Sequence, residues 1–284
     1  MKEEANGFGV DAKHEYPGAA GILAIDARGF LAEHARLAAM QPGFYVDALE
    51  REGARVTAAA RADLGAPIAA CPGWVVADVL GHLGRVYRSV HQIVVERLTD
   101  PPTTAPPKPP AGAAVIAFYA DALADLVAVL RETPAETRVY TWSSLGTVGF
   151  YQRRITHETG VHRLDVQSAV GLVDGFDPEL AADGVSELYD VVLAHGLARL
   201  DRARVDAVAD AGSMHLHRTD GHGEWTLEII DGALHVGRGH GKATAALRGS
   251  ASDLFVFAWN RGRGASLELF GDVAVADAWA GLAP

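Results

Sequence analysis

The chain has 284 residues, 49% of them hydrophobic, and 36 acidic against 25 basic residues leave a net charge of −11. That length suggests two domains, each with enough apolar content for a core, and the acidic balance argues against a nucleic-acid binder, which carries a basic face. The single cysteine, Cys71, excludes an internal disulfide framework and a cysteine-rich zinc site and fits a reducing, cytoplasmic setting. No apolar run approaches the roughly 18 residues a membrane helix needs.

Residues 1–40 lack both the apolar stretch of a signal peptide and a periodic face, and are expected to form a loosely attached extension. From Phe44 to about Leu64 apolar residues recur at helical spacing, giving a first helix. Pro67 and the Cys71-Pro-Gly-Trp74 turn break the chain, and a second helix is expected from Val76 to Leu98, with Asp78 near its positive end. Gly81 and Gly84 flank His82 in that helix; glycine is costly in a helix interior, so the pair points to a close backbone approach or to room for a bound group. The proline-rich stretch 100–110 is a surface loop. Val115–Leu130 and Phe150–Val170 complete four amphipathic helices, and four such helices without strand signals among them argue for a four-helix bundle over residues 41–172.

The pattern changes in residues 173–284. One helix is expected from Glu179 to Arg202, followed by short alternating segments at 214–219, 224–230, 233–237 and 243–248, two of the connections carrying Asp-Gly turns. A helix at 252–260, a strand at 266–270 and a closing helix at 273–280 make this half an α+β domain with an antiparallel sheet.

The densest chemistry lies in the fourth helix, Tyr151-Gln-Arg-Arg-Ile-Thr-His-Glu-Thr-Gly-Val-His-Arg-Leu-Asp165. Glu158 and His162, four residues apart, stack one turn apart and can reach one metal ion together. Taken alone this is also an ordinary surface pair, and a third ligand must come from elsewhere; His82 is the best candidate. Asp165 is placed to orient His162 or to pair with Arg154, while His157 lies off the stripe. Cys71 reads as a structural thiol. Gly237-Arg-Gly-His-Gly-Lys242 departs from a phosphate loop, with Ala243 in place of Ser or Thr, and reads as a hairpin loop. His215 and His217 share one strand face and, with no third ligand in view, read as packed or solvated.

The Cys-Pro-Gly-Trp turn ahead of Asp78-Val-Leu-Gly-His-Leu-Gly, the fourth-helix motif, and His217-Arg-Thr-Asp-Gly-His-Gly-Glu-Trp225 together resemble the mycothiol-dependent maleylpyruvate isomerase family over about residues 42–284. The resemblance implies a DinB-like metal-binding helical bundle joined to a domain similar to sterol carrier proteins. It implies a divalent metal, typically zinc, on His82, Glu158 and His162, and mycothiol as the low-molecular-weight thiol. It also implies a substrate-binding arginine at Arg261, after Trp259-Asn260 where the family usually has Trp-Gly, with Arg263 close enough to compete. Val75 departs from the Thr or Ser that often caps the second helix. The activity implied is cis-trans isomerisation of a maleylpyruvate-like diacid by addition and loss of the thiol. Two alternatives use the same residues: a mycothiol S-transferase acting on another electrophile, and a non-catalytic binding protein in which the metal only braces the bundle and the second domain binds an apolar ligand or partner.

Overall fold

The computed structural model describes residues 43–283 apart from 144, 173 and 265; the expected extension at 1–40 lies outside the described residues. The chain forms two compact units, dividing after Asp174.

The first unit is helical: α1 (Phe44–Ala60), α2 (Val76–Val95), α3 (Ala114–Glu132) and α4 (Val148–Ala169). Its apolar stripes face inward, with Leu49 and Val56 of α1, Leu80 and Leu83 of α2, and Leu126 and Leu130 of α3 buried. α1 packs on α4 and α3, and α2 packs on α3 and α4. The paired glycines of α2 mark close approach: a Cβ at Gly84 would lie 2.6 Å from the Phe118 ring on α3, and one at Gly81 2.9 Å from Pro109 of the proline-rich loop. α2 also starts without the usual cap. Valine has no side-chain acceptor, but the Asp78 carboxylate accepts from the Val75 backbone N–H at 3.0 Å, so half of a capping box holds the turn.

α4 is unlike the other three. It carries little net hydrophobicity, yet 18 of its 22 residues are buried. Polar groups on such a helix must be paired inside the protein. Arg163 forms an ion pair with Glu52 of α1, both side chains fully buried, and the same guanidinium donates to Gln167 Oε1 at 2.5 Å and to the Asp174 carbonyl at 3.0 Å. Thr159 Oγ1 bonds the Tyr87 hydroxyl of α2 at 2.6 Å.

The second unit holds a five-stranded sheet in the order β3-β2-β1-β4-β5. The strands are β1 (Met214–Arg218), β2 (Glu224–Ile230), β3 (Ala233–Arg238), β4 (Ala245–Gly249) and β5 (Glu268–Gly271). β1–β2, β2–β3 and β4–β5 pair antiparallel, as the alternating segments suggest, and β1–β4 is a parallel pair. Helices α5 (Pro178–Glu187), α6 (Arg202–Ala211), α7 (Ala251–Ala258) and α8 (Val273–Ala280) complete the unit. The single helix expected over 179–202 is instead α5, a π turn at Leu188–Leu193, and short turns ending at Arg199. α6 then starts afresh with Asp201 accepting from the Ala203 N–H at 3.0 Å. One sheet face supplies the core, with Met214, Leu216, Trp225, Leu227 and Leu247 buried. Two core tryptophans are anchored to α5: Trp225 Nε1 donates to Ser186 Oγ at 3.0 Å and Trp259 Nε1 to the Gly184 carbonyl at 3.1 Å. No described helix is long and apolar enough to cross a membrane.

Candidate metal centre

His82 sits in the second turn of α2, and Glu158 and His162 lie one turn apart on α4. The structure brings the three together, with one ligand-type atom from each within 4.8 Å of the others. His82 Nε2 lies 3.1 Å from Glu158 Oε1, and the His82 and His162 rings meet edge to face with centroids 5.1 Å apart. The other carboxylate oxygen, Oε2, is 3.5 Å from the Arg154 guanidinium.

Asp165 lies 2.9 Å from His162 Nδ1 through Oδ2. A carboxylate there holds the proton on Nδ1 and leaves Nε2 with its lone pair, the tautomer a metal ligand needs. Of the two roles open to Asp165 in the sequence, orientation of His162 is therefore the one adopted, and Arg154 turns to Glu158 instead. Burial, the largest influence on the Glu158 carboxyl, pushes its pKa up, but the hydrogen bond to His82 and the charge of Arg154 and the two imidazoles outweigh it and hold it at about 2. Burial pushes the His162 imidazole down, and the bond and charge of Asp165 offset this only in part. Carboxylate and neutral imidazole are the forms in which these groups bind a cation.

Trp74 is the neighbour that sequence reasoning missed. Its indole stacks on His162 at 12° with centroids 6.4 Å apart, and lies 5.4 Å from the His82 ring. The turn that carries it explains the Cys-Pro-Gly-Trp motif. Gly73 adopts φ +83°, and the Trp74 N–H bonds the Cys71 carbonyl at 3.0 Å, as a type II turn with Pro at its second and Gly at its third position requires. Read only as a chain break, this motif instead delivers an aromatic wall to the cluster. His157 is buried and packs edge to face on Tyr45 of α1, away from the stripe.

Arg261 belongs to the second unit. The end of α7 fixes its register: the Asn260 N–H bonds the Phe257 carbonyl at 3.0 Å and the Arg261 N–H bonds the Val256 carbonyl at 2.8 Å, the paired bonds of a Schellman motif. That motif needs its first residue past the cap to be left-handed, and Asn260 takes φ +56°, a conformation asparagine tolerates better than most side chains. Asn260, where the resemblance implies glycine, therefore supplies the left-handed residue that this helix end requires. Arg261 is half-buried and donates from Nη1 to the Trp259 carbonyl at 2.8 Å, whereas Arg263 is exposed and paired with Asp277.

A helical bundle with a histidine–glutamate–histidine cluster between two of its helices, followed by an α+β domain, defines a two-domain class with a bundle-borne metal-type site. The chain matches the model of the mycothiol maleylpyruvate isomerase N-terminal domain over residues 46–167 and that of the MDMPI C-terminal domain over residues 179–278, and it belongs to the mycothiol-dependent maleylpyruvate isomerase family. Among solved structures it is similar to a mycothiol-dependent maleylpyruvate isomerase, with TM-score 0.52 at 12% identity over 84% of this chain and 96% of that one. A histidine-to-alanine mutant of such an isomerase gives TM-score 0.51 at 13% identity over the same shares. At these identities the likeness is one of fold. No curated protein matches the chain.

Proposed function

We propose that the protein is a metal-dependent enzyme that uses mycothiol to isomerise a maleylpyruvate-like unsaturated diacid. The observation that carries this reading is the convergence of His82, Glu158 and His162 from two helices to within 4.8 Å, with Asp165 fixing the His162 tautomer, in a chain of this family. The donor set fits the expected ion: two imidazoles and one carboxylate leave positions open, as in catalytic rather than structural zinc sites. When bound, a divalent cation supplies positive charge that favours the thiolate form of an incoming thiol.

The chain's own residues divide the remaining work. Asp165 holds His162 in place, Arg154 holds the outer oxygen of Glu158, and the Trp74 indole covers one side of both imidazoles with apolar surface. Arg261 offers a planar fork that suits a substrate carboxylate. In the reaction the thiolate sulfur bonds one carbon of the cis double bond and the electron pair moves toward the adjacent carbonyl. Rotation about the resulting single bond follows, and return of the pair expels the thiolate, leaving the trans isomer with no net change in atoms or electrons.

The test is turnover of maleylpyruvate to fumarylpyruvate by zinc-loaded protein with and without mycothiol, alongside His162→Ala. Mycothiol-dependent conversion that the variant lacks is expected. Thiol consumed by another electrophile without isomerisation would make the protein a transferase, and zinc binding with no thiol chemistry would reduce the site to a brace.

A further inference from the structure

The sheet face turned away from the core of the second unit carries its own cluster. His215 and His217 alternate on β1 and share that face, and in the β1–β2 register His217 stands opposite Glu224 and His215 opposite Thr226. His217 Nδ1 lies 2.7 Å from Glu224 Oε1. The loop after β3 returns over the same face. Gly239 takes φ +85°, and Gly241 passes so close that a Cβ there would sit 2.8 Å from Thr226 Oγ1. Between these glycines His240 brings its Nδ1 to 3.8 Å from Glu224 Oε1 and its ring centroid to 5.6 Å from that of His215. One ligand-type atom from each of the four residues lies within 4.8 Å of the others.

A second observation points to a ligand. His215 is 4% exposed; its Nδ1 lies 3.1 Å from Thr226 Oγ1, while its Nε2 is buried with no hydrogen-bond partner. A buried ring nitrogen is ordinarily paired, and a cation is the one partner that three imidazoles and a carboxylate would all satisfy together. Access is open, since the His240 side chain is 83% exposed and that of His217 35%.

We propose that His215, His217, Glu224 and His240 form a second divalent-metal site in the second unit. Three imidazole nitrogens and one carboxylate match late first-row cations, zinc first, and with no thiolate in the set they do not suit copper(I) or iron–sulfur chemistry. Four protein donors fill a tetrahedral shell, so the site is closed and structural in type, unlike the open three-donor cluster of the bundle. Its ion would tie the glycine-flanked loop to β1 and β2 and so fasten the edge strand β3. The Gly-Arg-Gly-His-Gly-Lys segment, which fits no phosphate loop, thereby acquires a reason for its glycines: they let the backbone fold back far enough to deliver His240.

The test uses tag-free full-length protein stripped with a chelator and titrated with zinc. Wild type, His162→Ala, His217→Ala/His240→Ala and the triple variant are compared by metal content and by melting temperature with and without zinc. His162→Ala is expected to retain about one zinc per chain and to melt higher when zinc is present, and the triple variant to lose both responses. Glu224→Gln in the His162→Ala background, which keeps the side-chain size, is expected to weaken the remaining zinc. Circular dichroism of the metal-free variants checks that they are folded. A His162→Ala protein that binds no zinc, or a folded triple variant that binds as much zinc as His162→Ala, overturns the proposal. The bundle site is judged separately, by the difference between wild type and His162→Ala.

Discussion

Asp165 provides the sharpest test of how the bundle cluster is held. Its carboxylate lies 2.9 Å from His162 Nδ1, and its side chain is 1% exposed. A hydrogen bond with a charged partner contributes about 1.5–3 kcal/mol and a neutral one about 0.5–1.5 kcal/mol. Asp165→Ala removes the bond and the charge, so zinc affinity should fall by roughly 10–100-fold, the range seen when the group behind a ligating histidine is lost. Asp165→Asn keeps an acceptor oxygen and removes only the charge, so its loss should be about 1 kcal/mol, or several-fold. The assay is competition for zinc against a chromophoric chelator, and the melting temperature of each metal-free variant separates loss of ligand orientation from loss of fold. Unchanged affinity in Asp165→Ala, or a larger loss in Asp165→Asn than in Asp165→Ala, would refute the reasoning.

Arg261→Ala should leave zinc bound and cost about 2–5 kcal/mol in apparent transition-state binding with an anionic substrate, with partial rescue by lysine. Arg263→Ala, an exposed residue paired with Asp277, should be mild; the reverse pattern in steady-state kinetics would shift the register by two residues. Glu52→Gln strands the buried Arg163 guanidinium and should destabilise the fold by about 3–5 kcal/mol in denaturant unfolding, and a loss below about 1 kcal/mol would show that Gln167 and the Asp174 carbonyl suffice. The Glu158 pKa falls from 4.5 in its ordinary state to about 2 in the folded protein, so the metal-free chain gains stability that is present above about pH 4.5 and is lost as pH drops toward 2. That contribution is on the order of 3 kcal/mol. Acid titrations of metal-free wild type and Glu158→Gln should converge over that window, and a gap that widens on acidification would contradict the sign.

The bundle helices were legible because apolar residues at helical spacing mark three of them and clustered chemistry marks the fourth. Hydropathy would have misplaced α4, since a helix with arginines, histidines and carboxylates on every side reads as solvated when it is in fact buried and internally paired. The pairing of Glu158 with His162 follows from a four-residue spacing, and the arrival of His82 needed only adjacent helices. Asp165 shares a stripe with both His162 and Arg154, but His162 lies three residues away and Arg154 eleven, about three turns, so the helix rise alone favours His162. In the second half, local alternation marked the strands, but the parallel β1–β4 partnership joins segments separated by a hairpin and leaves no local signature. The same holds for Glu224 and His240, which meet the β1 histidines only through cross-strand register and a glycine-permitted fold-back. The break after α5 was hidden because a π turn keeps the apolar burial of the helix around it.

That π turn at Leu188–Leu193 bears on what changes in chain length the second unit can absorb. A turn closed by i→i+5 bonds holds about one residue more than the same turn closed by i→i+4 bonds. Removing one residue there would let the helix run on as regular α with the side chains beyond it facing the same way, whereas a deletion in α5 that left the wide turn in place would swing everything after it by roughly 100° about the axis. In that second case Tyr189, now 1% exposed, and the run Val191–Leu193 that follows would trade places with their neighbours at the core. The segment thus works as a vernier between Trp225's anchor on α5 and the start of α6, taking up a one-residue difference in length while keeping the phase at which the chain enters the rest of the unit.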